Sequence, residues 1–304
     1  MSQAGDASVQ VGVDIGGTGI RVIALEGDHE IAAVTLPTSS FEQYPRERRA
    51  FELAQRIRAL IPATKQLRSV GIGASGPVDT VAGVIENPAT LATFSGFALV
   101  TQLSEQLGVN VRIDNDAVTA AIGEFHRGAG RSSRRMLAVT LGTGVGVALL
   151  LDGRPLRNAD GGHPEGGHIP VGHSEMACYC GLSGCWESLA SRTWLQTGLA
   201  QLLPDVAYEK HDLAFYRELC LHNPQVAALF EQYGHHVGRG LGALIALYGP
   251  DLTVLSGSAA TLFPLYEAAV QASLQRTKGF ELNTRVVASE LGDGAGAVGA
   301  ALLE

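Results

Sequence analysis

Three of the four cysteines, Cys178, Cys180 and Cys185, stand close together with one and four residues between them, and His168 lies shortly upstream. Three thiolates and an imidazole make the closed tetrahedral set that a structural zinc ion prefers, and the interleaved Gly181 and Gly184 permit a tight knuckle. A redox pair would need neither the third sulfur nor the histidine. Carboxylates bracket the knuckle, with Glu165 three residues before His168 and Glu187 two after Cys185. A metal that locks this loop would fix both side chains. Rigidly held carboxylates, each able to accept two hydrogen bonds from adjacent hydroxyls, suit a polyhydroxylated ligand.

A second kind of chemistry sits near the N-terminus, in Asp14-Ile-Gly16-Gly17-Thr18. Adjacent glycines after a strand can turn sharply and present amide N–H groups to an anion, Thr18 adds a hydroxyl, and Asp14 at the strand tip can hold a magnesium ion through water. The loop lacks the Gly-Lys-Ser/Thr of a P-loop, and no helix starts at it as in a dinucleotide fingerprint. A related turn, Gly142-Thr143-Gly144, follows a second strand. Two such hairpins read as an internal duplication able to grip a nucleotide polyphosphate from both sides. The third feature is Asp114-Asn115-Asp116-Ala117, delivered at the end of a strand and followed by a small-residue helix. Capping that helix needs one carboxylate of Asp114 and Asp116, which leaves the other for chemistry.

The elements that position these groups follow from hydrophobic spacing. Residues 9–14 alternate as a strand, and 21–26 form the returning arm of a hairpin. Residues 45–60 carry Phe51, Leu53, Ala54, Ile57 and Leu60 near helical spacing with charges opposite, the pattern of a solvent-facing amphipathic helix. Residues 69–77 read as a buried strand that runs into a Gly76-Pro77 turn, where Gly76 lets a ligand approach the backbone. Residues 101–107 are a short helix, 109–113 a strand, 117–126 a helix, 136–151 a strand-turn-strand unit and 250–256 another strand. Cys220 is expected as a small core residue of a helix. Arg131, Arg134 and Arg135 belong to a solvated turn, and His163 to a loop.

A chain of 304 residues, 46% hydrophobic, can bury a large core and fits two domains better than one. Its net charge of -8 argues against nucleic acid or an anionic membrane as the main partner, and no basic patch stands out in the sequence. The N-terminal residues show no export signal, and few cysteines outside the knuckle fit a reducing compartment, so a cytoplasmic protein is expected.

Taken in order, Asp14-Ile-Gly-Gly-Thr18, Asn115-Asp116-Ala117, Leu141-Gly-Thr-Gly-Val-Gly146, Glu165-Gly-Gly-His168 and Cys178-x-Cys180-Gly-x-x-Gly-Cys185-x-Glu187 resemble the ROK family of sugar kinases and sugar-responsive repressors. The resemblance runs from about Gln10 to the last helix. It implies an α/β, actin-like ATPase (ribonuclease H-like) fold, with two α/β domains flanking a cleft that takes ATP and magnesium on one side and a sugar at its base. Residues 1–117 with a closing helix at 292–304 would form the small domain, and 118–291 the large domain that carries the zinc loop.

Carried over by position, Asp116 matches the general base, and Asn115, Glu165, His168 and Glu187 match sugar-hydroxyl ligands, with Gly76 beside them. His168 would also be a zinc ligand with Cys178, Cys180 and Cys185. Gly16, Gly17, Thr18, Gly142, Thr143 and Gly144 match phosphate-loop positions, and Gly257 an adenosine-side turn in which Ser256 replaces the usual glycine. The implied reaction is ATP-dependent phosphorylation of the 6-hydroxyl of a hexose. Glucose is the expected substrate, with fructose, mannose, allose or an N-acylhexosamine as alternatives; a non-catalytic sugar sensor is the alternative of another class. A homodimer is the family habit. In residues 83–91 Asn87 precedes Pro88, the reverse of the order in many family glucokinases, which leaves the selecting wall of the sugar pocket open.

Overall fold

The computed structural model describes residues 8–174, 177–208, 211–275 and 281–303. The N-terminal residues read for a leader, and the last residue of the expected closing helix, lie outside them. The chain divides into two compact units. One comprises the described residues up to Gly128, Pro155–His163 and those from Gly294 onward; the other comprises Ala129–Arg154 and Pro164–Asp293.

The first unit opens with β1 (Ser8–Ile15), β2 (Gly19–Glu26) and β3 (His29–Pro37), then α1 (Arg46–Ala59), β4 (Gln66–Ala74), a small pair β5 (Val78–Asp79) and β6 (Val84–Ile85), α2 (Leu99–Leu107), β7 (Asn110–Asn115) and α3 (Asp116–Arg127). The second unit follows with β8 (Arg135–Leu141), β9 (Val145–Leu151) and β10 (Arg154–Pro155), helices α4 (Trp186–Ala190), α5 (Arg192–Leu202), α6 (Leu213–His222) and α7 (Pro224–Tyr248), β11 (Leu252–Ser256), α8 (Phe263–Leu274) and β12 (Arg285–Ala288). Helix α9 (Ala295–Ala301) belongs to the first unit.

Each unit has one five-stranded sheet, and the two share one topology. The orders are β3-β2-β1-β4-β7 and β10-β9-β8-β11-β12. In the first, β1 pairs antiparallel with β2 and parallel with β4, which pairs parallel with β7. In the second, β8 pairs antiparallel with β9 and parallel with β11, which pairs parallel with β12. The duplication of glycine-turn hairpins in the sequence is thus the visible part of a duplicated sheet.

In the first unit one face of the sheet carries Val9, Val11, Val13 and Ile15 against Leu53, Ala54 and Ile57 of α1 and Leu99 and Leu103 of α2. The opposite face has little side chain. A Cβ built on Gly71 would lie 1.7 Å from the Ala300 carbonyl oxygen, and one on Gly12 would lie 1.8 Å from that of Ala297. Helix α9 therefore rests backbone to backbone on β1 and β4, and α3 packs along α9. That contact puts α3 in the first unit, and the division falls after Gly128, whereas the family resemblance implied one at Ala117. Gly71→Ala is expected to destabilise the protein by about 3 kcal/mol, since neither the helix backbone nor the strand can yield cheaply. An unchanged urea midpoint would contradict this packing account.

Helix α1 buries Leu53, Ala54 and Ile57, as the spacing implied, together with Ala50; Phe51 is half-buried, Leu60 is the half-buried C-cap, and Arg49 turns inward to donate to the Thr93 carbonyl at 2.7 Å. Cys220, expected in the core, is half-buried on α6, whose buried side chain is Tyr216. Among the described residues no helix is long and apolar enough to cross a membrane.

Candidate functional site

Register decides what meets at the carboxyl ends of the first sheet. Asp14 stands opposite Gly73, which stands opposite Asp114; one residue on, Ile15, Ala74 and Asn115 align. The chain therefore leaves three adjacent strands at Gly16, Ser75 and Asp116 together, the usual place for ligands in sheets of this type.

At that edge the Ser75 hydroxyl donates to Oδ2 of Asp116 at 2.9 Å. Oδ1 of Asp116 accepts from the Ala117 amide at 2.8 Å, an amide shared with Oδ1 of Asn115. Asn115 is the N-cap of α3, so neither aspartate is spent as its cap. Asp114 is occupied otherwise: it is buried and holds both Nη atoms of Arg157, with Nη1 on Oδ1 at 3.0 Å. Of the two carboxylates, Asp116 is the half-buried one with a face toward solvent.

Gly76 joins this group. A Cβ there would come within 3.0 Å of Nδ2 of Asn115, and the Gly76-Pro77 peptide is cis. Asn87 is buried and donates to the Gly76 carbonyl at 2.8 Å and to the Thr90 hydroxyl at 2.7 Å. Its amide clamps the turn that carries Ser75 and Gly76. The Thr90 carbonyl in turn lies 2.7 Å from where a Cβ on Gly17 would be. Gly16, Gly17 and Thr18 form the β1–β2 turn, closed by the Gly16 amide on the Gly19 carbonyl at 2.9 Å. Thr18 and Gly17 are exposed there, and the Asp14 carboxylate abuts the start of α9 at Gly296.

The second unit gathers the remaining predicted residues. The Gly142 amide donates to the Gly144 carbonyl at 3.0 Å and closes the β8–β9 turn. Glu187 lies against Gly144, and its Oε2 accepts from the Val145 amide at 3.0 Å. Gly257, at φ +81°, would put a Cβ 2.7 Å from the Leu141 carbonyl, so the turn after β11 sits directly on the β8–β9 turn.

Glu165 starts a short turn, Gly166–His168, packed on β9. Downstream, Pro170 bridges Cys185, the Val171 amide donates to the Gly184 carbonyl at 2.9 Å and the Trp186 amide to the Ile169 carbonyl at 2.9 Å. These contacts fold the knuckle back onto the histidine turn. The Trp186 indole donates to the His236 carbonyl of α7 at 3.0 Å, which anchors the exit of the loop in the core.

The donor atoms of His168, Cys178, Cys180 and Cys185 all lie within 4.8 Å of one another. Sγ of Cys180 and of Cys185 are 3.5 Å apart, and Sγ of Cys178 is 3.4 Å from Nδ1 of His168. Ligands on a tetrahedral zinc with metal–sulfur bonds of about 2.3 Å would be roughly 3.8 Å apart, so this set fits such an ion. Burial pushes the Cys185 thiol up to about 12, while a hydrogen bond from the Leu182 backbone draws the Cys180 thiol down.

Four residues beside the predicted ones carry no local signal in the sequence: Ser75 and Arg157 in the first unit, and in the second Tyr179 and Arg192, which donates its backbone N–H to the Gly142 carbonyl at 2.7 Å. Each is recognisable only by a partner remote in the chain or by the folding of the knuckle. Tyr179, between two of the cysteines, places its hydroxyl 3.0 Å from Nε2 of His168. Its phenol is pushed up to about 12, by desolvation first and then by the charges of Glu187 and Glu165.

Two sheets of identical strand order, each with a glycine turn after its first strand, define the actin-like ATPase fold. The chain belongs to the ROK family, whose model matches residues 10–304. A glucokinase from Thermotoga maritima is 28% identical to it over 96% of this chain and 95% of its own. Among solved structures, a ROK hexokinase from Thermus thermophilus superposes with TM-score 0.78 at 30% identity, covering 97% of each chain. A ROK family glucokinase from Streptomyces griseus, in complex with glucose and AMPPNP, superposes with TM-score 0.80 at 25% identity over 96% of this chain and 98% of its own. Other relatives are named as an N-acetylgalactosamine kinase, at 27% identity, and a xylose repressor, at 25%.

Proposed function

We propose that the protein is an ATP-dependent sugar kinase that phosphorylates the 6-hydroxyl of a hexose, glucose first among them, with Asp116 as general base. The observation that carries this reading is the fixing of Asp116: Ser75 holds one carboxylate oxygen and the Ala117 amide the other, at the edge where three strands end. A carboxylate held in this way need only accept the proton of the attacking hydroxyl, because phosphoryl transfer depends chiefly on positioning and on groups that absorb phosphate charge. Arg157 neutralises the neighbouring Asp114 and leaves Asp116 as the acidic group free for that proton.

Asn115, Glu165, His168 and Glu187 would receive the sugar hydroxyls, with Gly76 giving the ring close approach. Gly16, Gly17, Thr18, Gly142, Thr143 and Gly144 would offer amide and hydroxyl donors to the donor phosphates, and Gly257 would border the adenosine. Asp14 would hold magnesium through water, and that ion, when bound, neutralises phosphate charge. Zinc held by His168, Cys178, Cys180 and Cys185 would be structural: it would tie Glu165 and Glu187 into one rigid loop. A cytoplasmic homodimer completes the proposal.

The test is ATP consumption by the purified protein against glucose, mannose, fructose, allose, N-acetylglucosamine and N-acetylmannosamine, with Asp116→Asn as control. Turnover on glucose that the variant lacks supports the reading. Turnover confined to another sugar would reassign the substrate. Sugar-induced thermal shifts with no turnover on any of them would instead identify a sensor.

A further inference from the structure

Neither glycine turn, at residues 16–19 or 142–144, contains a cation. In the second unit a guanidinium from elsewhere in the chain lies on the turn. Arg192, the first residue of α5, donates its backbone N–H to the Gly142 carbonyl at 2.7 Å and its Nη2 to the Thr143 hydroxyl at 3.0 Å. Nη1 donates to the Ser258 hydroxyl at 3.2 Å. The next residue, Thr193, donates to the Thr143 carbonyl at 2.9 Å. Arg192 thus spans the turn after β8 and the turn after β11, which adjoin because Thr140 stands opposite Ser256 in the parallel pair.

Neither side-chain partner is charged. Among the described residues no carboxylate lies within ion-pairing distance of Arg192, and its Nε is buried without a hydrogen-bond partner. A half-buried cation whose side chain is held only by two hydroxyls is poorly compensated. A staple between two neutral loops needs no charge, since an amide or a hydroxyl would serve. A planar guanidinium with N–H groups to spare, set on a turn that displays a threonine hydroxyl, matches the geometry of phosphate oxygens.

We infer that Arg192 is a donor-binding residue: it contacts the polyphosphate of the nucleotide with the N–H groups that Thr143 and Ser258 leave unused. The anion supplies the counter-charge that the fold withholds. This inference rests on the ATP-kinase reading above and names the cation of its donor site.

The test is steady-state kinetics of the full chain and of its Arg192→Ala, Arg192→Gln and Arg192→Lys variants, with Mg-ATP and sugar varied in turn. Arg192→Ala and Arg192→Gln are expected to raise KM for ATP by about tenfold or more, the value of a charge-assisted hydrogen bond, with KM for the sugar unchanged. Arg192→Lys, which keeps the charge and loses the fork, should recover part of the loss. The glutamine variant keeps a donor for Thr143 or Ser258 without the charge, so it decides the matter if the alanine variant fails to fold. A wild-type KM for ATP in the glutamine variant would overturn the inference, as would KM values for ATP and sugar rising together. If the parent protein shows no turnover, the kinase reading fails by itself, and calorimetric titration with Mg-ATP then decides Arg192: binding by the parent and none by the glutamine variant upholds it. Equal binding by the two, or none by either, overturns it.

Discussion

Asp116→Asn is expected to lower kcat by about 10²- to 10⁴-fold, the usual contribution of a positioned base, while sugar affinity stays within about twofold of the parent. The substitution is nearly isosteric. The new amide oxygen can still accept from the Ala117 amide, and the Ser75 hydroxyl, now 2.9 Å from the second oxygen, can rotate to accept from the new NH₂. The loss of one negative charge in the first turn of α3 should cost only about 0.3–1 kcal/mol of stability. The variant should therefore fold, bind sugar and fail at proton removal alone. Calorimetry of sugar binding beside initial rates separates these effects. A variant that turns over at the parental rate would remove Asp116 from the chemistry and leave Asn115 and the turn around Ser75 as a binding edge only.

Cys180→Ser is expected to give the second-largest effect, on a different axis. Cys180 is the exposed member of the set, so its removal disturbs little packing, yet it supplies one of the four donors that converge within 4.8 Å. Serine does not replace a thiolate on zinc, and three ligands hold the ion far less well. The variant should purify with much less than one equivalent of zinc by elemental analysis. Sugar affinity should fall by about tenfold or more, because Glu165 and Glu187 lose the rigid frame between them. The hairpin turn should feel the change too, since Glu187 accepts from Val145. A strong chelator applied to the parent protein should reproduce these losses, and zinc should restore them. Parental metal content together with parental sugar affinity in the variant would refute the staple account.

Much of this was legible in the sequence because the signals are local. The candidate metal donors all lie between residues 168 and 185, and their residue types alone mark them as a set. The hairpins were legible from a strand that ends in glycines, and α1 from its apolar spacing. The four residues missed have no such signature. Ser75 meets Asp116 from 41 positions away, Arg157 reaches Asp114 across 43, and Arg192 reaches Ser258 across 66. Asn87 shows the same limit: its proximity to proline left its role open, and only the fold turns its amide onto the Gly76 carbonyl.

The sequence by itself determined the chemistry on offer: three thiols and an imidazole of metal-ligating type, carboxylates around them, two glycine turns after strands and an aspartate after a strand. Side-chain type and short spacing are local properties, and no long-range contact is needed to express them. Tertiary structure alone decided which groups meet. Parallel register aligned Asp14, Gly73 and Asp114, Arg157 took up one aspartate so that Asp116 stayed available, and the contact of β8 with β11 brought Ser258 to Arg192. Those pairings depend on which strands become neighbours, a property of the folded chain as a whole that no short stretch of it encodes.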